Sequence, residues 1–217
     1  MGHPKQFIEL LGYPALYHTL RAFEDAPAVD KIYAVGDRER IEELAKASGI
    51  SKYAGCAESG EARSLSTRNG IVLCEDDPDT IVLIHDGSRC LVTPDLIERV
   101  AEAARGGADG VIPALPVSDT IKVAENGTIS QTLDRRQLFA AQTPQAFSLG
   151  LLRRIYAAPE EDLRAATDDA SLVEDAGGRV VMVAGEKTNI KLASPEDLVL
   201  AEAILAAREG AHLEVRN

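Results

Sequence analysis

Cysteine is scarce in this 217-residue chain, and what there is lies scattered. Cys56, Cys74 and Cys90 are odd in number, widely spaced and without a Cys-x-x-Cys pair, and no histidines cluster near them. That excludes a disulfide framework and argues against a zinc site, so all three are read as reduced thiols. Long apolar runs are absent as well. No stretch reaches the roughly eighteen consecutive apolar residues that a spanning helix needs, and the opening MGHPKQF has no apolar segment behind a basic start, so it is not a secretory signal. A cytoplasmic protein with no membrane partner is the expectation. Positive charge is the third shortage: 23 Lys and Arg stand against 35 Asp and Glu, a formal net charge of −12. Nucleic acids and anionic membranes need positive potential over a wide area, so neither is an expected partner. Any phosphate must be held in a local basic pocket.

The apolar residues that are present, 45% of the chain, are arranged in alternating patterns. Lys31 to Gly36 (KIYAVG), Thr80 to Asp86 (TIVLIHD), Gly110 to Leu115 (GVIPAL) and Arg179 to Ala184 (RVVMVA) read as buried strands. Between them Ala15 to Glu24, Arg38 to Ser48, Ala62 to Cys74 and Pro94 to Arg105 carry apolar residues at three-to-four spacing. The pattern predicts an α/β fold in one domain over residues 1–217, with a mostly parallel sheet covered on both faces. A last helix is expected from Ser194-Pro195-Glu196-Asp197, a cap, a first-turn proline and two acids, to about Arg208. One segment breaks the alternation. Asp119 to Leu133 places Asn126-Gly127 between two alternating stretches, which predicts a β-hairpin projecting as an arm, with Thr120 at its base and Arg135 just beyond its end.

In open parallel sheets ligands bind outside the carboxyl ends of strands, which singles out His85-Asp86-Gly87-Ser88-Arg89 after TIVLI. Asp86 can hold a metal or a ribose hydroxyl and Gly87 admits a ligand close to the backbone; a capped turn explains the same residues. Gly60-Glu61-Ala62-Arg63-Ser64-Leu65-Ser66 leads into a helix whose first amides, with the Ser66 hydroxyl, suit a nucleotide, or simply open a helix. Three cations complete the set: Lys5 in PKQ, Arg135 in TLDR and Lys191 in NIK. Converging, they would neutralise a phosphoryl or nucleotidyl transfer; separate, they are solvated surface charges. Thr143-Pro144-Gln145 and Thr167-Asp168-Asp169-Ala170-Ser171 read as a turn and a helix cap.

Taken in order, PKQF (4–7), HTLRAF (18–23), GEARSLSTRNG (60–70), HDGSRCLVTPDLI (85–97), IPALPVSDTIK (112–122), TLDRRQLFAAQTPQAF (132–147), TDDASLVE (167–174) and NIKLASPEDLVLAEAIL (189–205) resemble one family from end to end. It is the 2-C-methyl-D-erythritol 4-phosphate cytidylyltransferase family. The resemblance implies a single Rossmann-like nucleotidyltransferase domain, CTP and a polyol phosphate as substrates, Mg2+ or another divalent cation as cofactor, with no metal ligand assigned, and a homodimer built through the arm. It implies that Lys5 stabilises charge on the triphosphate and that Arg135 and Lys191 aim the attacking phosphate. Asp86, Thr120 and Thr143 would line the polyol site, with Thr120, Arg135 and Thr143 supplied by the partner subunit. Gly60, Glu61 and Ser66 would contact cytosine and Gly87 the ribose. The family opens with a strand and a glycine-rich loop that this chain, starting Met1-Gly2-His3-Pro4-Lys5, does not show, so a sheet without a central strand and a reduced phosphate cradle are expected. A ribitol 5-phosphate cytidylyltransferase and an inactive dimerisation or nucleotide-binding module are the competing expectations.

Overall fold

Successive side chains of a strand point to opposite faces, and here both faces are apolar because both are covered. In the computed structural model, which describes residues 5–75 and 77–214, a 3-10 turn at Lys5–Phe7 leads into the short strands β1 (Glu9–Leu10) and β2 (Tyr13–Pro14). Then follow α1 (Ala15–Asp25), β3 (Ile32–Val35), α2 (Arg38–Ala47), β4 (Tyr53–Ala57), α3 (Arg63–Val72), β5 (Ile81–Ile84), α4 (Pro94–Ala104) and β6 (Gly110–Pro116). The hairpin β7 (Lys122–Glu125) and β8 (Thr128–Thr132) precedes β9 (Phe139–Ala141), β10 (Gln145–Ser148), α5 (Leu149–Ile155), α6 (Glu160–Ala165), α7 (Asp169–Asp175), β11 (Val180–Ala184) and α8 (Pro195–Glu214). The last helix runs one and a half turns past the expected Arg208. Among the described residues no helix is long and apolar enough to cross a membrane.

The larger sheet has the order β11-β6-β10-β5, with β9 paired to β6. β11 is parallel to β6, while β10 runs antiparallel to both β6 and β5. Strands β5, β6 and β11 therefore point one way, and β10 is a reversed strand set between them. β3 and β4 form a separate parallel pair, and among the described residues no strand hydrogen-bonds that pair to β5. Alternation then sorts the core into two layers. Ala34, Ile81, Leu83, Val111, Ala146, Val181 and Val183 pack against α1, α2 and α4. Tyr33, Val82, Ile84, Ile112, Phe147 and Val180 pack against α3, α5 and α7. The two cores are continuous across β3 and β5 even though those strands bond to different partners. A third cluster, built on Leu10, Leu91, Leu192 and Ala201, holds α8 against β1 and the loop that follows β5.

The arm forms where Asn126-Gly127 predicts it. Both turn residues have positive φ, 49° and 78°, the combination a two-residue turn needs to match the twist of its strands. Every residue of β7 and β8 is exposed.

Candidate active site

The loops that follow β4, β5 and β11 meet at the carboxyl ends of those strands, and Asp86 stands where they meet. The Arg89 amide donates to the Asp86 carbonyl at 2.9 Å, closing the turn after β5. The Thr143 hydroxyl accepts from the Asp86 amide at 3.1 Å and lies 3.0 Å from His85 Nδ1, while His85 Nε2 lies 3.1 Å from the Arg89 carbonyl. One tautomer satisfies all three contacts: Nε2–H donates to Arg89 and Nδ1 accepts the Thr143 proton. Burial pushes His85 down to about 4, in keeping with a neutral ring. His85 is thus a packed, fully used side chain. Thr143, expected from the partner subunit, sits beside Asp86 in its own chain, and both its hydrogen-bonding directions are taken there.

Lys191 reaches the same carboxylate from the loop after β11. The Leu192 amide donates to Ser88 O at 2.8 Å and Asn189 Nδ2 donates to Thr143 O at 2.9 Å, which pins that loop on both sides. Lys191 Nζ then lies 2.9 Å from Asp86 Oδ2. Lys5 Nζ donates to the Ala193 carbonyl at 3.0 Å, two residues further along the same loop. Two of the three singled-out cations therefore meet on one loop, Lys191 from within it and Lys5 at its Ala193 carbonyl. Arg89, from the segment singled out after β5, also faces the carboxylate: its Nε is 3.8 Å from Asp86 Oδ2, and its other nitrogens donate to the carbonyls of Asn189 and Ala141. Burial raises the Asp86 carboxyl, but Arg63 and Lys191 more than offset it and hold the group down at about 2.

The loop after β4 arrives through Arg63, whose Nε donates to Asp86 Oδ1 at 2.9 Å. Ser66 closes this loop, its hydroxyl accepting from the Gly60 amide at 3.0 Å and donating to the Ala62 carbonyl at 3.0 Å. A Cβ on Gly60 would lie 2.6 Å from Leu65 Cβ, whereas one on Gly87 would meet nothing within 4 Å. Gly60 is required by packing, and Gly87 leaves an open approach to its backbone. Glu61 is exposed and pairs with Arg164 at 2.7 Å. Helix α3 has Ala62 at its N-cap with no side-chain cap, so its leading amides are not claimed by a capping side chain. Thr120 and Arg135 are exposed at the root of the arm, where Arg135 Nη1 donates to the Ser118 carbonyl at 2.9 Å. Neither is among the groups that bond Asp86.

Arg63 lies in the segment that opens α3 and Asp169 in one that reads as a helix cap, and the sequence pattern gives neither a part in the site. The available signal was local misfit: a cation in the first turn of a helix opposes the helix dipole, so α3 gains nothing from Arg63 there.

Arg63, Arg89 and Lys191 surround one carboxylate in an otherwise acidic chain. Comparison with known proteins shows the family to which such a site belongs. The family model described as 2-C-methyl-D-erythritol 4-phosphate cytidylyltransferase matches residues 1–207. The chain belongs to this family. A 2-C-methyl-D-erythritol 4-phosphate cytidylyltransferase of Rubrobacter xylanophilus is 69% identical over 96% of this chain and 90% of its own length. One from Syntrophotalea carbinolica is 43% identical over 93% and 88%. Among solved structures, that of a 4-diphosphocytidyl-2C-methyl-D-erythritol synthase superposes with a TM-score of 0.83 at 36% identity, covering 93% of this chain and 94% of the other. The Thermus thermophilus cytidylyltransferase superposes at 0.78 with 32% identity, covering 94% of each. The α/β architecture with its mostly parallel sheet is thus the fold of the family, and the chain is a nucleotidyltransferase.

Proposed function

We propose that this chain transfers the cytidylyl group of CTP to 2-C-methyl-D-erythritol 4-phosphate, giving 4-diphosphocytidyl-2-C-methyl-D-erythritol and pyrophosphate in isoprenoid precursor synthesis. The meeting of Lys191 and Arg63 on Asp86, with Lys5 held on the same loop as Lys191 and Arg63 carried by the Gly60–Ser66 loop, is the observation that carries the reading. A phosphate oxygen of the polyol phosphate attacks the α-phosphorus of CTP. The bond from that phosphorus to the bridging oxygen breaks, and its electron pair leaves with pyrophosphate. Such a transfer is catalysed mainly by positioning and charge neutralisation. Lys5 takes the charge developing on the triphosphate, and Lys191 exchanges Asp86 for the incoming phosphate and aims it. Asp86, freed on one oxygen, accepts from a polyol hydroxyl. Gly60, Glu61 and Ser66 face the base, and the open backbone at Gly87 faces the ribose.

The arm makes the site composite. Thr120 and Arg135 lie at its root, and in a homodimer joined through the arms each would reach the partner's pocket, Arg135 adding a second hold on the phosphate. Val123 and Ile129 on the arm, 40% and 59% exposed, supply apolar surface for that contact. A divalent cation, Mg2+ in the first instance, would shield the triphosphate and polarise its phosphorus. Among the described residues no cluster of three or more carboxylate, imidazole or thiol groups is placed to hold it. Phosphate oxygens and water would hold the ion, as is common for Mg2+. The reading goes with a cytoplasmic protein, taken as one domain over residues 1–217.

Pyrophosphate release by the 217-residue chain, with CTP, magnesium and 2-C-methyl-D-erythritol 4-phosphate, is the test. Turnover well above that with ribitol 5-phosphate is expected. The reverse preference would move the assignment to another polyol phosphate, and silence with both in a folded dimer would favour a non-catalytic module.

A further inference from the structure

A chain of polar groups runs outward from the buried core to the exposed Lys191. Tyr156, on the residue after α5, donates its hydroxyl to Asp169 Oδ1. Asp169 is fully buried. Its other oxygen accepts from Arg63 Nη2 at 2.8 Å, and Arg63 Nε reaches Asp86 Oδ1 at 2.9 Å. Asp86 Oδ2 ends the chain on Lys191 at 2.9 Å. The anchor is fixed in turn. Asp168 caps α7 by accepting from the Ser171 amide at 2.9 Å, and Gln145 clamps the cap, donating to Asp168 Oδ2 at 2.8 Å and accepting from the Ala170 amide at 3.1 Å.

We propose that Arg63 is a positioning residue of the site: by bridging buried Asp169 to Asp86 it fixes the orientation in which Asp86 and Lys191 meet the polyol phosphate. The inference rests on the cytidylyltransferase reading of the pocket. Its physical basis is the guanidinium fork, which is rigid and planar and can bond two carboxylates in fixed directions, as an ammonium group cannot. The position in the chain supports it too. Arg63 opens α3, where a cation is locally unfavourable, and it bonds two carboxylates from distant elements, 23 and 106 residues along the chain. An arrangement that is locally wrong and globally specified points to a site. The charged and titratable groups around it are Asp86, Asp169, Tyr156 and Arg89, with Lys191 and His85 adjoining Asp86. In that set Asp86 is the one carboxylate that both faces the pocket and bonds a pocket cation, so its direction is what the fork controls.

The experiment compares the full chain with Arg63→Lys, Arg63→Gln and Tyr156→Phe by steady-state kinetics against each substrate, by thermal melting and by crystallography. Arg63→Gln is expected to lower kcat/KM for the polyol phosphate about a hundredfold, with a raised KM for that substrate and a KM for CTP within about twofold, and Arg63→Lys to recover part of the loss. Tyr156→Phe, which keeps Arg63 but removes one hold on its anchor, is expected to shift the same parameter in the same direction by a smaller factor, and it decides the matter if Arg63→Gln does not fold. A merely structural role would lower the melting temperature and the active fraction while leaving KM for the polyol phosphate unchanged, and that result overturns the inference. The crystal structures need no turnover. An Asp86 carboxylate that turns away from Lys191 when Arg63 is replaced upholds the positioning role even if the wild type proves inactive, in which case only the activity assigned to the pocket falls. A carboxylate that stays in place in Arg63→Gln or Arg63→Lys overturns it.

Discussion

A histidine beside the key carboxylate invites a catalytic role, but at the scale of single residues this one serves as structure, and its titration makes that testable. The unfolded chain protonates His85 near its ordinary value of about 6.5, whereas burial holds the folded ring down to about 4. Below 6.5 the unfolded state binds the proton first. The stabilisation is therefore complete above 6.5 and is lost as pH falls through 4, on the order of 3 kcal/mol over that window. Asp86, depressed to about 2, contributes stability that is present above about 4 and lost below it, so the two windows separate. Urea unfolding from pH 7 to pH 4 should show the wild-type slope, and His85→Gln should flatten it; an unchanged slope in the variant would assign it elsewhere. Gly60 makes the complementary case on the nucleotide side. Its missing Cβ leaves room for Leu65 and for the bond from its amide to Ser66, so Gly60→Ala should displace the loop and raise KM for CTP about tenfold while sparing KM for the polyol phosphate. Equal effects on both substrates would remove the loop from the cytosine site.

Elements were legible where the chemistry is local and obscure where it is tertiary. Ile81–Ile84 and Val180–Ala184 are rich in β-branched residues and form strands where the pattern puts them. Asn126-Gly127 specifies its turn through two positive φ angles. By contrast β10, the reversed strand in the middle of the sheet, reads Gln-Ala-Phe-Ser and begins with a buried amide. Besides a long bond to the nearby Gln142 carbonyl, it is the bonds to Asp168 and from the Ala170 amide that satisfy the buried side chain, and no short window around residue 145 contains those two. β4, Tyr-Ala-Gly-Cys-Ala, is similarly mute because Gly and Ala carry little strand preference. The candidate site divides the same way. Asp86 and Lys191 could be marked by position after a strand and by motif, while Arg63 acquires its meaning from a carboxylate 106 residues away. The arm carries its own prediction. A lone hairpin is marginal in water, and one with exposed Val123 and Ile129 is expected to be covered by a second copy. Sedimentation should give the mass of two chains for the wild type and of one for Ile129→Lys, with activity falling as the partner's Thr120 and Arg135 are withdrawn. A wild type that sediments as a single chain would refute the composite site.

For the whole molecule, the division of hydrogen bonding matters more than any one contact. β5, β6, β10 and β11 are held together by main-chain bonds, whereas among the described residues the β3–β4 pair meets them through side-chain packing in the two cores. Main-chain ladders resist opening until the sheet itself opens, while a unit held by packing can separate at lower cost. Native-state hydrogen exchange should therefore show Ile32–Val35 and Tyr53–Ala57 exchanging together, at an opening free energy below that of Val111 and Ala146 in the larger sheet. The nucleotide loop, Gly60 to Ser66, hangs from β4, and Arg63 ties it to Asp86 on the other side of the division. Bound CTP would bridge the two sheets and should slow exchange in β3 and β4 more than in β6, since a ligand protects the openings that destroy its site. Uniform protection across both sheets would mean instead that they open as one unit, and that packing between β3 and β5 is as strong as a ladder.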